Sequence, residues 1–439
     1  MTTQRIAVLG AGAAGLGAAA ALSDQDVVLY EQRESFGGHA SSFAVDGFRF
    51  DEGPHISFTR NEKIRKLFAE GVAGEYREFP AVAHNYFAGH ILRHPAQCHL
   101  YPLPVDLKQA CLVDFVQARL DKAAPIENYR DWCYHQFGRS FAERFVRLYT
   151  RKYWTLELEE LTTDWVGPRI HPPSVEEIIE GALRETGKDY TYISTFRYPV
   201  RGGFVSFFQR LAAGKTIKCG HEVIRVHPHR RRLDFRNGAV EHYDQLVSTL
   251  PLPELIGMIE DAPSAVREAS ARLRCTSHFL VSVGVRGDHP SEAYWIYYYD
   301  EDVPFSRVSF PTKFSPDNGP VGHWSLQAEI VHAPHRPLGD AEAVVARTLE
   351  SLTRVGLLER TTDIVAVHGG DIRYANVIFD TARAAATRLV HDYLRAQGIV
   401  VCGRYGDWAY LWTDDSIVSG ERAARDVRAL ITGAPAGVP

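Results

Sequence analysis

The first apolar run of the chain, Arg5–Leu9, is short and partly β-branched, which is typical of a buried strand in a parallel sheet. Residues 16–22 are rich in alanine and leucine, which favours a helix. A second apolar run at residues 27–30 predicts another buried strand. The pattern therefore predicts a strand–helix–strand unit at the start of the chain and an α/β fold class.

Three glycines in the turn between the first strand and the helix have the spacing of a dinucleotide-binding fingerprint. Gly10 permits a tight turn, Gly12 lets the backbone approach a pyrophosphate, and Gly15 lets the helix pack closely on the strand. The helix N-terminus faces the phosphates, and an acid after the second strand can accept hydrogen bonds from a ribose. The candidate cofactor-binding residues here are Gly10, Gly12, Ala13, Ala14, Gly15, Glu31 and Gln32.

Two further glycine motifs follow the fingerprint. The pair Gly37 and Gly38 lets the chain turn back over the phosphates of a long cofactor, although a plain glycine-rich turn is the alternative. A later alternating strand ends in a Gly-Pro turn at His55, whose ring either faces a flavin or is an ordinary loop histidine. The candidate cofactor-binding residues of these two motifs are Gly38, His39, Ala40, Ser41, Pro54 and His55.

Between residues 61 and 188 the pattern predicts helices with aromatic residues on their apolar faces, which usually belong to a core. This periodicity breaks at residues 151–154 and 164–170, where cations lie beside tryptophans and a Gly-Pro kink. The combination suits a pocket for a charged ligand, and a solvated helix end is the alternative.

The second half of the chain is richer in strand patterns. Short runs at 223–226, 232–235 and 240–243 and a buried run at 245–250 predict a return to the nucleotide domain, with Val223 near the adenine. Alternating runs at 278–285, 293–299, 306–310 and 323–330 predict an antiparallel sheet, followed by a helix over 340–355. Arg307 and Tyr374 on that sheet either line an anionic pocket or decorate an edge strand.

The last core strand is predicted at residues 399–402, and a glycine-rich turn with Gly403 and Arg404 follows it. The helix over 416–430 begins beside Asp415 and Ser416, which supply capping chemistry. A second glycine turn and helix N-terminus fit a cofactor whose other end needs its own anion site.

Composition narrows the class of protein. A chain of 439 residues is too long for one core, and 45% hydrophobic with 23% charged residues is ordinary for a globular enzyme. The net charge of −5 without a basic block argues against nucleic acid as a partner. The sequence has no apolar stretch of membrane-spanning length, and its first strand begins so early that we expect neither a membrane anchor nor a signal peptide. The six cysteines lie far apart without a CxxC motif, so we expect buried thiols, no metal site and a cytoplasmic location.

Taken together, GAGAAG with Glu31, the pair at 37–38, GPH at 53–55 and GRYG at 403–406 resemble the FAD-binding motifs of the amine oxidase, protoporphyrinogen oxidase and UDP-galactopyranose mutase superfamily. KYW at 152–154, WVGPR at 165–169, PVRGG at 199–203 and FSRVS at 305–309 resemble motifs of the UDP-galactopyranose mutases, especially the eukaryotic type. The resemblance implies a Rossmann-like FAD-binding domain of the glutathione-reductase type at 1–60, 200–260 and 395–432. It also implies two inserted substrate parts, one helical at 61–199 with a possible lid, and one antiparallel sheet at 261–394.

The resemblance also implies roles for individual residues. Arg169 and Arg307 correspond to two arginines that clamp a nucleotide diphosphate, a role that suits bidentate guanidinium groups. His55 corresponds to the histidine loop beside the isoalloxazine, and together with the two arginines it forms the predicted catalytic set. The predicted substrate-binding residues are Trp154, Trp165, Tyr374 and Tyr410.

Two chemistries remain open on this scaffold. The first is interconversion of the pyranose and furanose forms of a nucleotide-activated sugar, in which N5 of reduced FAD attacks the anomeric carbon without net redox. The second is an FAD-dependent oxidase or desaturase that oxidises a small molecule. Because the sequence has no second dinucleotide fingerprint, NAD(P)H as a reductant would share the sugar-nucleotide pocket. A homo-oligomer is compatible with the sequence.

Overall fold

A computed structural model of the chain describes residues 4–121 and 125–433. Its strands, in chain order, are β1 (Arg5–Leu9), β2 (Asp26–Tyr30), β3 (Ser42–Val45), β4 (Phe48–Asp51), β5 (Tyr76–Pro80), β6 (Ala83–Phe87), β7 (His90–Arg93), β8 (Thr195–Pro199), β9 (Thr216–Lys218), β10 (Val223–His227), β11 (Arg232–Phe235), β12 (Val240–His242), β13 (Gln245–Ser248), β14 (Ser277–Arg286), β15 (Trp295–Tyr298), β16 (Arg307–Ser309), β17 (His323–His332), β18 (Ile364–Ile372) and β19 (Ile399–Val401). Its helices are α1 (Ala13–Ala21), α2 (Glu62–Gly71), α3 (Val105–Leu120), α4 (Tyr129–Phe137), α5 (Arg139–Phe141), α6 (Arg147–Tyr153), α7 (Val175–Leu183), α8 (Gln209–Ala212), α9 (Leu252–Met258), α10 (Ser264–Ala271), α11 (Pro311–Phe314), α12 (Ala341–Arg354), α13 (Arg383–Ala396), α14 (Gly403–Gly406) and α15 (Thr413–Thr432).

A five-stranded parallel sheet with the order β19-β13-β1-β2-β9 forms the nucleotide-binding part of the fold. The predicted β1–α1–β2 unit is present, and β13 and β19 lie where buried strands were predicted. The carboxyl ends of three strands meet at one edge, where Leu9 pairs with both Tyr30 and Ser248. The three-residue β9 was not predicted because its sequence is too short to show a pattern. The expected α/β fold class is confirmed.

Helices α1 and α15 pack against each other almost backbone to backbone. A Cβ built on Gly420 would lie 2.1 Å from the carbonyl oxygen of Ala14, and one on Gly17 would lie 2.7 Å from that of Ile417. Glycine at these positions therefore allows the two helices to approach. The contact brings the N-terminus of α15 from the far end of the chain to the N-terminus of α1.

A seven-stranded sheet with the order β18-β14-β17-β16-β15-β6-β7 forms the second layer. Its core strands agree with the predicted runs, but the sheet is not wholly antiparallel, because β15 and β6 are parallel. The three-stranded antiparallel sheet β10-β11-β12 also lies where it was predicted. The glycine-rich turn predicted at Gly403 is the one-turn helix α14.

The segment between residues 61 and 199 is only partly helical, which corrects the expectation. Helices α2 to α7 lie in it, but β5 pairs with β8, and β6 and β7 join the seven-stranded sheet. Ala88 and Gly89 connect β6 and β7 with φ values of 47° and 83°, the left-handed conformation that tight hairpin turns require. This short hairpin was not predicted, because the aromatic pattern of the surrounding segment is typical of helices. Among the described residues, no helix combines the length and apolar character needed to cross a bilayer.

Candidate active site

The fingerprint turn has the shape that its glycines predict. Gly10 has a φ of +94°, and a Cβ on it would lie 2.2 Å from Thr249 Oγ1. A Cβ on Gly15 would lie 2.0 Å from the Gly10 carbonyl oxygen. At Gly12, by contrast, the nearest protein atom would be 3.6 Å from such a Cβ, so packing within the protein alone tolerates a side chain there. The open space at Gly12 fits a group that approaches the backbone from outside.

The pair Gly37 and Gly38 lies directly against this turn. Gly37 forms an isolated parallel bridge with Gly12, and its N–H donates to the Ala11 carbonyl at 2.9 Å. A Cβ on Gly38, whose φ is +57°, would lie 3.0 Å from the Gly12 Cα. Ser41 follows in the same turn, and its buried Oγ has no hydrogen-bond partner among the residues that the structure describes. An unpaired buried hydroxyl beside two glycine turns fits a polar ligand at this point. Ala40 is buried beside Ser41.

Glu31 is buried at the end of β2 and is held by backbone donors. Its Oε2 accepts from the Ala11 N–H at 2.9 Å, and its Oε1 accepts from the Arg33 N–H at 3.0 Å. The backbone N–H of His221 donates to the Glu31 carbonyl, which brings Val223 at the start of β10 towards the same end. The neighbouring Gln32 is exposed.

The residues predicted at the far end of the chain lie beside α1. A Cβ on Gly403, whose φ is +81°, would lie 2.6 Å from the Ala14 Cβ. In the first turn of α15, Asp415 accepts from the Trp412 N–H at 3.1 Å, and the Ser416 hydroxyl donates to the Trp412 carbonyl.

Arg404 is held in place by backbone carbonyls. Its guanidinium donates to the Leu411 carbonyl at 2.9 and 2.6 Å and to the Ala375 carbonyl at 3.0 Å. Because these carbonyls occupy most of its donors, Arg404 holds the loop of residues 404–411 in place, while one side of it lines the cavity described next.

A cavity of about 410 Å³ opens between the helical part, the seven-stranded sheet and the nucleotide-binding part. It brings together residues that are far apart in the sequence. Of the predicted residues, its walls contain His39, Pro54, His55, Trp154, Trp165, Arg169, Arg307, Arg404 and Tyr410. Both predicted arginines therefore face one space, next to the predicted flavin loop.

Arg169 is held between two aromatic rings. Its guanidinium carbon lies 4.5 Å from the ring centres of both Tyr410 and Trp412. Its Nη1 donates to the Trp165 carbonyl at 2.9 Å, and its Nη2 donates to the Tyr410 carbonyl at 2.7 Å. Its Nε is buried, and no atom of residues 4–121 or 125–433 accepts a hydrogen bond from it. Arg169 is thus a preorganised cation with unused donor capacity.

Arg307 forms a two-pronged ion pair with Glu329, which lies directly opposite it on β17. The Nε–Oε1 distance is 2.6 Å and the Nη2–Oε2 distance is 2.9 Å. Burial alone would raise the pKa of Glu329, but Arg307 and His278 lower it to about 2, so this carboxylate is ionised. Nη1, on the other edge of the guanidinium, makes no hydrogen bond with the described residues and can donate into the cavity.

A chain of polar groups continues from this ion pair across the cavity wall. His278 Nδ1 lies 3.5 Å from the Glu329 carboxylate, and its Nε2 lies 3.1 Å from the Asn376 amide nitrogen. Asn376 Oδ1 accepts from the Tyr153 hydroxyl at 3.3 Å, and Tyr153 lies 3.0 Å from the Tyr410 hydroxyl. Glu329, His278 and Asn376 were not predicted, since each is a single polar residue in an apolar strand or loop, and only the strand register brings them together.

His55 is held with a defined ring orientation. Its Nδ1 donates to the Gly53 carbonyl at 3.0 Å, which leaves Nε2 as the free ring nitrogen. Burial, together with the positive charge of Arg404, lowers the pKa of His55 to about 4. The imidazole is therefore neutral at physiological pH.

Tyr374 departs from the expectation. It has a φ of +58°, and its ring packs against Tyr405 and Trp408, with centroids 6.1 and 6.5 Å apart. Of the described residues in this loop, Ala375 and Asn376 line the cavity and Tyr374 does not. Trp154 and Trp165 do line the cavity, where their rings are 4.9 Å apart.

Comparison with known proteins defines the class. The model of the family described as flavin containing amine oxidoreductase matches residues 13–428, so the chain belongs to this family and is a flavoenzyme. A crystal structure of reduced UDP-galactopyranose mutase is similar to it, with a TM-score of 0.92 and 25% identity, over 98% of this chain and 96% of the other. The predicted kinship with mutase-like members of the FAD-dependent superfamily is confirmed.

Two other similarities are more limited. The structure of an oxidoreductase from Methanosarcina mazei has a TM-score of 0.65 at 15% identity, over 95% of this chain and 98% of the other, which shows the fold alone. A carotenoid 3,4-desaturase from Haloarcula japonica is 48% identical over 56 residues, which are 12% of this chain and 11% of that protein. The chain thus matches only about a ninth of the desaturase's length.

The residues present fit FAD, the flavin that the family implies. The glycine turns at Gly10 and Gly12, the unpaired Ser41 hydroxyl and the buried Glu31 lie at one edge of the parallel sheet, beside two helix N-termini. These groups would hold the dinucleotide, and the predicted flavin loop with His55 leads from them into the cavity.

Proposed function

We propose that this chain is a sugar-nucleotide mutase, which interconverts the pyranose and furanose forms of a nucleotide-diphosphate sugar. One observation carries the proposal: the cavity next to the predicted flavin loop contains two guanidinium groups, those of Arg169 and Arg307, in an aromatic setting. Similarity to a UDP-galactopyranose mutase over nearly the whole chain supports the same conclusion.

The arginines bind and neutralise the diphosphate as it leaves the sugar and returns to it. Arg169 is already oriented by two carbonyls and two rings, so little conformational entropy is lost when it binds an anion. Glu329 fixes one edge of the Arg307 guanidinium, and the opposite edge faces the diphosphate. Trp154 and Trp165 supply flat surfaces for the uracil or another base.

Bound FAD, when reduced, supplies a nucleophilic nitrogen for the anomeric carbon, so that no net redox change occurs. The neutral His55 orients the flavin edge through its free ring nitrogen. The Tyr153–Tyr410 hydroxyl pair lies across the cavity and can pass a proton between sugar hydroxyls. NAD(P)H is the reductant we propose, bound in the same cavity and competing with the sugar nucleotide.

The test is turnover of a panel of nucleotide-diphosphate hexoses by protein that has been reduced with dithionite under argon. We expect furanose product from the reduced protein and none from the oxidised protein. Arg169→Lys and Arg307→Lys should each lose ~2–4 kcal/mol of transition-state stabilisation, which lowers kcat about 30- to 900-fold. Arg286→Lys, at an exposed surface ion pair, is the matched control and should be unaffected.

An oxidase or desaturase would behave differently in the same experiment. It would turn over only in air or with another electron acceptor, would form peroxide or a reduced acceptor, and would give no furanose. Flavin content and melting temperature of each variant separate a loss of chemistry from a loss of folding.

A further inference from the structure

A thiol, an imidazole and a carboxylate meet at the edge of the helical part. One ligand atom each from Cys98, His171 and Glu177 lies within 4.8 Å of the others, and among the described residues this is the one such group of three. Cys98 is buried in the turn after β7, His171 lies in the loop before α7, and Glu177 lies in the first turn of α7.

Other contacts already join these two segments. The Gln97 side chain donates to the His171 carbonyl at 2.9 Å, and His171 Nε2 lies 2.9 Å from Glu177 Oε2. Gly181 of α7 packs so closely that a Cβ on it would lie 1.9 Å from the Cys98 carbonyl oxygen. The three ligand-bearing residues are therefore held at fixed backbone positions.

A fourth polar group at this place lacks a partner. The Tyr190 ring stacks on His171 with centroids 5.4 Å apart, and its buried hydroxyl makes no hydrogen bond within the described part of the chain. A buried hydroxyl beside three ligand-type side chains is a group that a bound ion or its water would satisfy.

We propose that Cys98, His171 and Glu177 form a binding site for one divalent cation of the zinc class. Sulfur, imidazole nitrogen and carboxylate oxygen are the ligand set that Zn²⁺ accepts, and three protein ligands leave a fourth position for water beside Tyr190. Binding displaces the Cys98 thiol proton to solvent. The thiolate and the Glu177 carboxylate then balance the two charges of the ion, with His171 neutral.

The site ties a wall of the cavity to the body of the protein. His171 and Gln97 line the cavity, and so do Ile170, Tyr192 and Ile193 at the two ends of the segment that contains α7. A cation at this point would fix the position of that segment beside the substrate space, with no part in the chemistry.

The experiment measures Zn²⁺ and Co²⁺ binding by the full-length, flavin-loaded protein in the presence of a non-thiol reductant. Equilibrium dialysis with metal analysis gives stoichiometry, and competition with a chromophoric chelator gives affinity. Co²⁺ also gives d–d bands whose intensity reports tetrahedral geometry. The central variant is Glu177→Gln, because glutamine preserves the capping box with Ser174 while removing the charge. Its matched control is Glu176→Gln, one residue earlier and exposed.

We expect one equivalent of Zn²⁺ in the wild type and in Glu176→Gln. Affinity should fall at least about tenfold in Glu177→Gln and in Tyr190→Phe, and at least about 100-fold in Cys98→Ser, which should also lose the sulfur-to-cobalt band. Cys111→Ser, at another buried thiol, should bind normally. If Cys98→Ser fails to fold, His171→Gln tests the same ligand set at a half-buried side chain. Failure of the reduced wild type to retain Zn²⁺, or equal affinity in the wild type and Glu177→Gln, would overturn the proposal, and neither result depends on the mutase reaction.

Discussion

The Arg307–Glu329 pair is the residue-scale feature on which the cavity depends. Glu329 is almost fully buried, whereas a quarter of the Arg307 side chain is exposed to the cavity. Buried pairs contribute little net stability when both partners are present, but removing one partner leaves an uncompensated charge. Glu329 thus fixes Arg307 in the orientation that presents its other edge to a ligand.

Replacing Glu329 tests this dependence. Glu329→Gln should lower the free energy of unfolding by about 3–5 kcal/mol, because the Arg307 guanidinium loses its counter-charge inside the sheet. Guanidinium chloride titration at pH 7 measures the change. The exposed Glu268→Gln serves as control and should stay within about 0.5 kcal/mol of the wild type. An equally small change in Glu329→Gln would contradict the role given to the pair.

The same carboxylate predicts a pH dependence. Its folded pKa of about 2 lies below the usual value of 4.5, so the unfolded chain binds more protons between these two values. The stability that Glu329 contributes is fully present above about pH 4.5 and is lost as the pH falls towards 2. Unfolding free energies from pH 6 to 3 should therefore decline more steeply in the wild type than in Glu329→Gln. Parallel curves for the two proteins would refute the assignment.

Residues in local motifs could be predicted from the sequence, whereas those that depend on register could not. Gly10, Gly12 and Gly15 act within one turn, so their spacing alone indicates their shape. Glu329 and Asn376 matter because β16 pairs with β17 and because the loop after β18 lies beside His278, and neither fact is visible in a local pattern. Tyr374 was assigned by resemblance, and a single left-handed backbone angle places it elsewhere.

At the scale of elements, the α1–α15 contact joins the two ends of the chain. Both helices direct their N-termini towards the predicted cofactor crevice, and glycine at two contact positions, Gly17 and Gly420, sets their separation. The close approach of the two helices is not visible in the sequence of either helix alone. The elements were predictable from periodicity, but their close approach is not.

Gly420→Ala measures what the approach contributes. Helix propensity alone favours alanine by about 1 kcal/mol, yet its Cβ would lie 2.1 Å from the Ala14 carbonyl oxygen, so we expect a net destabilisation of about 2 kcal/mol. FAD retention should fall as well, since the fingerprint helix is displaced. Gly257 lies in an exposed part of α9, where a built Cβ would have no described atom within 4 Å. Gly257→Ala should therefore raise the free energy of unfolding by about 0.5–1 kcal/mol. Thermal unfolding measures the change in stability, and flavin absorbance measures FAD retention. If both variants were more stable than the wild type, close helix packing would not explain why residue 420 is glycine.

On the scale of the whole molecule, the helical part and the seven-stranded sheet form one structural unit. Strands β6 and β7 belong to the early segment by sequence, but they extend the sheet beyond β15. Lys152 in α6 adds a second link, since its Nζ donates to the Tyr298 and Asp300 carbonyls at 2.9 Å each. The helical part predicted at 61–199 and the sheet part predicted at 261–394 are therefore not two independent lobes.

This continuity predicts how the protein opens. Val308→Ala in β16 removes fully buried methyl groups and should lower the free energy of unfolding of the sheet by about 2 kcal/mol. Amide exchange should then be about 30-fold faster wherever it requires the sheet to unfold. We expect the amides of β6 to accelerate together with those of β14 and β17, although about 190 residues of sequence separate β6 from β14. Val247→Ala in the parallel sheet is the matched control, which should accelerate β1 and β13 more than β6. Hydrogen exchange with peptide-level mass spectrometry resolves these strands. If β6 exchanged independently of β14 in Val308→Ala, the early hairpin would belong to the helical part, and the cavity would lie between two separately unfolding units.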